Sequence, residues 1–91
     1  MHINEDGTLL WLVDNIRHRI DGPAVIYANG DQYWYANGMK HRIDGPAVIY
    51  PEDNEYFWNV NGFCFTDAKD FQKAANLSDE DMSFLLLKYN F

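Results

Sequence analysis

Two histidines each stand three residues ahead of an aspartate in the same local context, His18 with Asp21 and His41 with Asp44. Such pairs have the groups that acid–base catalysis uses, and two imidazoles with two carboxylates would make up a zinc-ligand set. The spacing argues otherwise. A catalytic site draws different groups into one cleft, whereas here the same residues recur at the same point of a repeat, which is the pattern of a structural rung. Arg19 and Arg42 complete it. A guanidinium carries several donors in a fixed fork and is expected to pair with Asp21 and Asp44 or to bond turn carbonyls, while His18 and His41 pack on the neighbouring repeat. Cys64 lies between two phenylalanines, which suits a buried, inert thiol. Ser78 is best explained as a helix N-cap. The sequence holds no phosphate loop, dinucleotide fingerprint or nucleophile elbow. These residues predict a non-enzymatic chain with no catalytic residue, metal site or cofactor.

The rung belongs to a repeat that is visible without alignment. The decapeptide HRIDGPAVIY occurs at residues 18–27 and again, unchanged, at 41–50, a shift of 23 that also relates Gly7 to Gly30 and Trp11 to Trp34. A partial third copy follows at a shift of 24, taking Trp34 to Trp58, if the loop at Pro51 carries one extra residue and the turn near Val60 slips. Within a unit, Ala24–Tyr27 is β-branched and aromatic, Asn29-Gly30 is a hairpin signal, Gln32–Tyr35 is a second strand and Asn37-Gly38 another turn. Leu9–Val13, Glu55–Asn59 and Phe63–Phe65 add strands, for about six or seven in all. Trp11, Trp34 and Trp58 should fall on one face and fill a core. Tyr33, Tyr35 and Tyr56 are expected on the other.

After Thr66 the apolar period changes from two to 3.6. Thr66 or Asp67 caps a short helix carrying Ala68, Phe71 and Ala75 on one face, and Asn76 stops it. Ser78 opens a second helix whose first turn is acidic. Its apolar residues form two stripes: Met82, Leu85, Leu86 and Tyr89, then Phe84, Leu87 and Phe91. One stripe covers a sheet face, so the second is expected to pack on the first helix, or else to meet a partner outside. The predicted fold class is α+β: one domain over residues 1–91, with an antiparallel meander of β-hairpin repeats of about 23 residues at 6–65 and a two-helix cap at 66–91.

Composition narrows the function. The chain has 91 residues, 16% aromatic, and a formal net charge of −7. Residues 17–50 hold four bases and three acids, giving +1, while residues 51–91 hold three bases and eight acids, giving −5. That balance argues against direct nucleic-acid binding, which needs clustered Lys and Arg. A lone cysteine suits a reducing compartment, and neither a membrane-length apolar run nor a secretory signal is present, so a cytoplasmic chain is expected. Two helices can cover one face of a sheet that is aromatic on both, which leaves a face for a partner. Tyr33, Tyr35, Tyr56, Phe84, Leu87 and Phe91 are the candidate partner-binding residues. A homodimer formed by strand addition is a further expectation.

The unit Trp34-Tyr-Ala-Asn-Gly38-Met-Lys-His41-Arg42-Ile-Asp44-Gly45-Pro46-Ala47 resembles the MORN-like hairpin repeats of small bacteriophage and large-virus proteins, over residues 6–63 or so. Asn15 replaces the glycine of that pattern. The resemblance implies a phage-encoded scaffold in the host cytoplasm that binds and inhibits a host protein, such as a defence component. Two other readings stand beside it. One is a small-nucleotide sponge acting as a homo-oligomer through its aromatic faces and Arg19 or Arg42. The other is an acidic mimic of nucleic acid.

Overall fold

The computed structural model describes residues 1–89. In chain order the elements are β1 (His2–Ile3), β2 (Leu9–Leu10), β3 (Leu12–Val13), β4 (Ile16–Arg17), β5 (Val25–Ile26), β6 (Gln32–Tyr33), β7 (Tyr35–Ala36), β8 (Met39–Lys40), β9 (Val48–Tyr50), β10 (Glu55–Val60), β11 (Phe63–Phe65), α1 (Ala68–Ala75) and α2 (Asp79–Tyr89). A seven-stranded antiparallel meander runs β1-β2-β5-β6-β9-β10-β11, and β3–β4 and β7–β8 are separate two-stranded ribbons. The fold class is therefore α+β, with hairpin repeats followed by two C-terminal helices.

The segment expected as one strand, Leu9–Val13, divides at Trp11, and the next divides at Trp34. The backbone shows why. Trp11 donates its N–H to Ala24 C=O across the meander (2.8 Å), while its own C=O accepts from His18 N–H in the ribbon (3.1 Å). Trp34 does the same with Ala47 (2.6 Å) and His41 (3.0 Å). Each tryptophan thus hands the strand from one partner to another. In the third unit β10 stays continuous, pairing first with β9 and then with β11.

All three ribbon turns have two residues at positive φ: Asp14-Asn15, Asn37-Gly38 and Asn61-Gly62. This is the primed turn that matches the twist of a tight hairpin. Because Asn37-Gly38 maps onto Asn61-Gly62 at the same shift of 24 as Trp34 onto Trp58, the third copy needs no slip near Val60.

The core sits at the C-terminal end, where Trp58, Val60, Phe71, Ala75, Met82 and Leu85 are buried together. Phe71 is fully covered and meets Trp58 edge-on with ring centres 4.9 Å apart. Burial of one such side chain is worth on the order of 2 kcal/mol. Asp67 caps α1 by accepting from Lys69 and Asp70 N–H, and Asn76 ends it in the left-handed conformation. Ser78 Oγ accepts from Asp81 N–H at the start of α2.

Three expectations are corrected. Trp11 and Trp34 are half-buried rather than core, and only Trp58 is enclosed. Cys64 is exposed, because side chains alternate along β11: Phe65 shares the helix-covered face with its partner Trp58, and Cys64 lies on the other. The second stripe of α2 does not pack on α1: Phe84 is 67% exposed and Leu87 88%. Phe91, the last member of that stripe, lies outside the described residues.

Candidate functional site

The two rungs are built identically. Arg19 Nε donates to Asp21 (3.0 Å) and its Nη1 to Pro23 C=O (3.1 Å), while the guanidinium lies 3.9 Å above the Trp11 ring. Arg42 repeats this with Asp44 (2.8 Å), Pro46 C=O (3.1 Å) and Trp34 (3.9 Å). The opposite side of each guanidinium is closed by glycine, since a Cβ at Gly22 or Gly45 would stand 2.8 or 2.7 Å from the Arg Cζ. Each rung thus joins Trp, Arg and Asp, as Trp11–Arg19–Asp21 and Trp34–Arg42–Asp44, whereas Trp58 packs on Phe71 instead.

His18 and His41 lock one ribbon to the next. Asn37 N–H donates to His18 Nδ1 and Asn61 N–H to His41 Nδ1, both at 3.0 Å, so each imidazole is an acceptor at that nitrogen. Beside them Arg19 N–H donates to Tyr35 C=O, Arg42 N–H to Asn59 C=O, Gly38 N–H to Arg17 C=O and Gly62 N–H to Lys40 C=O. Among the described residues, no three His, Cys, Asp or Glu side chains converge as metal ligands would.

The tyrosines form a ladder of their own. Tyr33 meets Tyr27 and Tyr50 edge-on and stacks near Tyr35, and its hydroxyl shares a 2.9 Å hydrogen bond with that of Tyr50. That hydrogen bond, with burial as a smaller cause, pushes the Tyr33 hydroxyl well above the usual phenol range. All three candidate tyrosines are half-buried. Tyr56 stands on the same side as Trp58, two residues on, and both rings pack edge-on against Tyr89 of α2. Tyr33 and Tyr35 therefore remain as the reverse-side pair.

The accessible apolar surface lies elsewhere. A groove of about 430 Å³ runs between the two rungs, lined by Arg19, Ile20, Trp34, Ala36, His41, Arg42, Ile43 and Asp44. It adjoins a second one of about 400 Å³, which shares Asp44 and reaches Leu77, Asp81, Phe84 and Lys88. Ile20 is 88% exposed and Ile43 is also exposed. Sequence reasoning passed over these two isoleucines, although the signal was present: a β-branched residue repeated between Arg and Asp of a turn has no strand to bury it.

Compared with protein-family models, with curated proteins and with solved structures, the chain matches none. Among the described residues no helix is long and apolar enough to cross a membrane.

Proposed function

We propose that the chain is a non-enzymatic protein-binding module whose contact surface is the rung groove together with the outward stripe of α2. The observation that carries this reading is the extent of the helical cover. It ends with the third repeat, leaving Ile20, Ile43 and Phe84 exposed around a concave surface and Leu87 exposed beside them on α2. Clustered apolar side chains beside charged ones are the ordinary make-up of an interface. In the form that the resemblance to MORN-like phage proteins implies, the partner is a host protein that the module inhibits.

The nucleotide-sponge reading draws less support. Each rung guanidinium has an aspartate on Nε, a carbonyl on Nη1 and a tryptophan beneath it, so its charge is already neutralised within the rung. Capture from host lysate tests the module. Wild type should retain one defined protein, and Ile20→Asp or Leu87→Asp, both at exposed positions, should lose it while keeping the wild-type circular dichroism. Equal retention by all three chains rejects the surface.

A further inference from the structure

We propose that two copies of the chain pair through the reverse face of the meander, the face of Tyr33 and Tyr35, about a twofold axis that lies along the row Leu10, Val25, Tyr33, Val48 and Phe57. This surface is separate from the rung groove and from the outward stripe of α2. The pairing therefore goes beyond the binding-module reading and leaves the module's surface free.

Strand register builds the row. Leu10 stands opposite Val25, Val25 opposite Tyr33, Tyr33 opposite Val48 and Val48 opposite Phe57, so the five side chains cross five strands on one face. The helices are on the other side, where α1 meets β10 and β11 through Trp58 and Phe65. Leu12, Tyr27 and Phe57 are 42%, 40% and 39% exposed. They are less open than Ile20 or Leu87, but they belong to one continuous sheet face with the tyrosine ladder.

Charge is divided evenly about that row. Two residues towards the ribbons, about 7 Å along the strands, Leu12 pairs with Arg17 and Tyr35 with Lys40. Both cations lie over this face, Arg17 above the Tyr35 ring (5.4 Å) and Lys40 above that of Tyr33 (5.6 Å). Two residues the other way, Tyr27 N–H donates to Asp31 C=O and Tyr50 pairs with Glu55. One rim is thus basic and the other acidic. Among the described residues the ion pairs are those of the two rungs, so none of these four charges is neutralised within the chain.

The two rims fit each other under one operation. A twofold axis along the central row, midway between two copies, turns face to face and reverses the strands, which carries each basic rim over an acidic one. Position across the sheet agrees as well. Arg17 lies between Leu12 and Tyr35, in line with β5, whose far end leads to Asp31; Lys40 lies between Tyr35 and Asn59, in line with β9, whose far end meets Glu55. Arg17 then faces Asp31 of the other copy and Lys40 faces Glu55, each pair formed twice, which is the self-complementary patch of an isologous dimer. The operation keeps the strands of the two sheets near alignment, as face-to-face sheets about 10 Å apart require.

Sedimentation equilibrium over a concentration series up to about 1 mM reads the outcome. Wild type should move from 10.7 kDa to twice that mass. Lys40→Glu and Glu55→Lys, each checked for wild-type circular dichroism, should each weaken association by on the order of tenfold, because like charges then face one another twice. Mixing the two variants should restore dimer, since in the mixed pair every altered side chain meets its opposite. Should either variant misfold, Arg17→Glu mixed with Asp31→Lys applies the same test at the other pair. A wild-type chain that stays monomeric throughout the series overturns the pairing. So does a dimer indifferent to both substitutions, which places the contact elsewhere, such as at the β11 edge, and so does a mixture that fails to reassociate.

Discussion

The guanidinium of Arg42 is held from four directions: the Trp34 ring below, Asp44 on Nε, the Pro46 carbonyl on Nη1 and the bare Cα of Gly45 above. An exposed ion pair alone contributes about 0–1 kcal/mol. The stacked cation adds about 0.5–1 kcal/mol and the bond to the carbonyl a comparable amount. Arg42→Ala is therefore expected to cost about 2 kcal/mol in urea unfolding. Gly45→Ala should cost nearly as much through the same contact, because a Cβ 2.7 Å from Arg42 Cζ forces the guanidinium off its tryptophan. The two are coupled. In the Arg42→Ala background the obstacle is gone, so Gly45→Ala should become neutral, or stabilising by about 0.5 kcal/mol through the reduced freedom of the unfolded chain. If Gly45→Ala costs the same in both backgrounds, the glycine serves some other purpose.

Strands β6 and β9 are joined by register and by side chains, with Tyr33 opposite Val48 and its hydroxyl bonded to that of Tyr50. The raised Tyr33 phenol favours the protonated form in the folded state. Its contribution is thus complete below the ordinary phenol range near about 10 and is lost as pH rises beyond it. Tyr50→Phe should move one tyrosine down towards ordinary titration in a phenolate absorbance experiment and should flatten the alkaline loss of stability. An unchanged titration curve would mean that the hydroxyl pair does not form. At this scale the repeat itself was legible, because ten identical residues mark the rungs, and the Arg–Asp and Arg–carbonyl bonds followed from residue type. The break of each strand at Trp11 and Trp34 was not. Side chains alternate without interruption through the tryptophan, and only the backbone partners change, which leaves no trace in an apolar pattern. Cys64 was misjudged for another reason: Phe-Cys-Phe is apolar at every position and so does not show which parity faces the helices, and it is Phe65 that shares the face of Trp58. The exposure of Ile20 and Ile43 left no such trace either, because both lie in turns, outside the apolar period of any strand.

As a whole molecule the chain behaves as a stack in which each unit touches the next through the same set of contacts. His Nδ1 takes the following Asn N–H, Arg N–H gives to the following strand, and the residue after each turn lies on the next turn's glycine. That last contact explains the single departure at Asn15. A Cβ at Gly38 would stand 3.1 Å from Ile16, tighter than an ordinary contact, whereas Asn15 lies in the first ribbon and has no earlier ribbon beside it; at Gly62 a Cβ would only touch Met39, and the positive φ is what favours glycine. Phe63, at the other end, is in the position of Ile16 and Met39 but has no further turn to rest on, and it is 71% exposed. Such a stack should lengthen. Inserting a second copy of residues 24–46 directly after Pro46 repeats the junction between the first and second units, with His41 facing a new Asn37 and Met39 a new Gly38. Nearest-neighbour additivity then predicts a folded chain with two more strands in the meander, a larger urea m-value and a midpoint at least as high as that of wild type. The cap keeps its partners, since β10, β11 and a copy of Arg42 and Asp44 still precede it in the same order. Loss of cooperative unfolding in the lengthened chain would show that the units depend on a contact with the helices that the repeat does not carry.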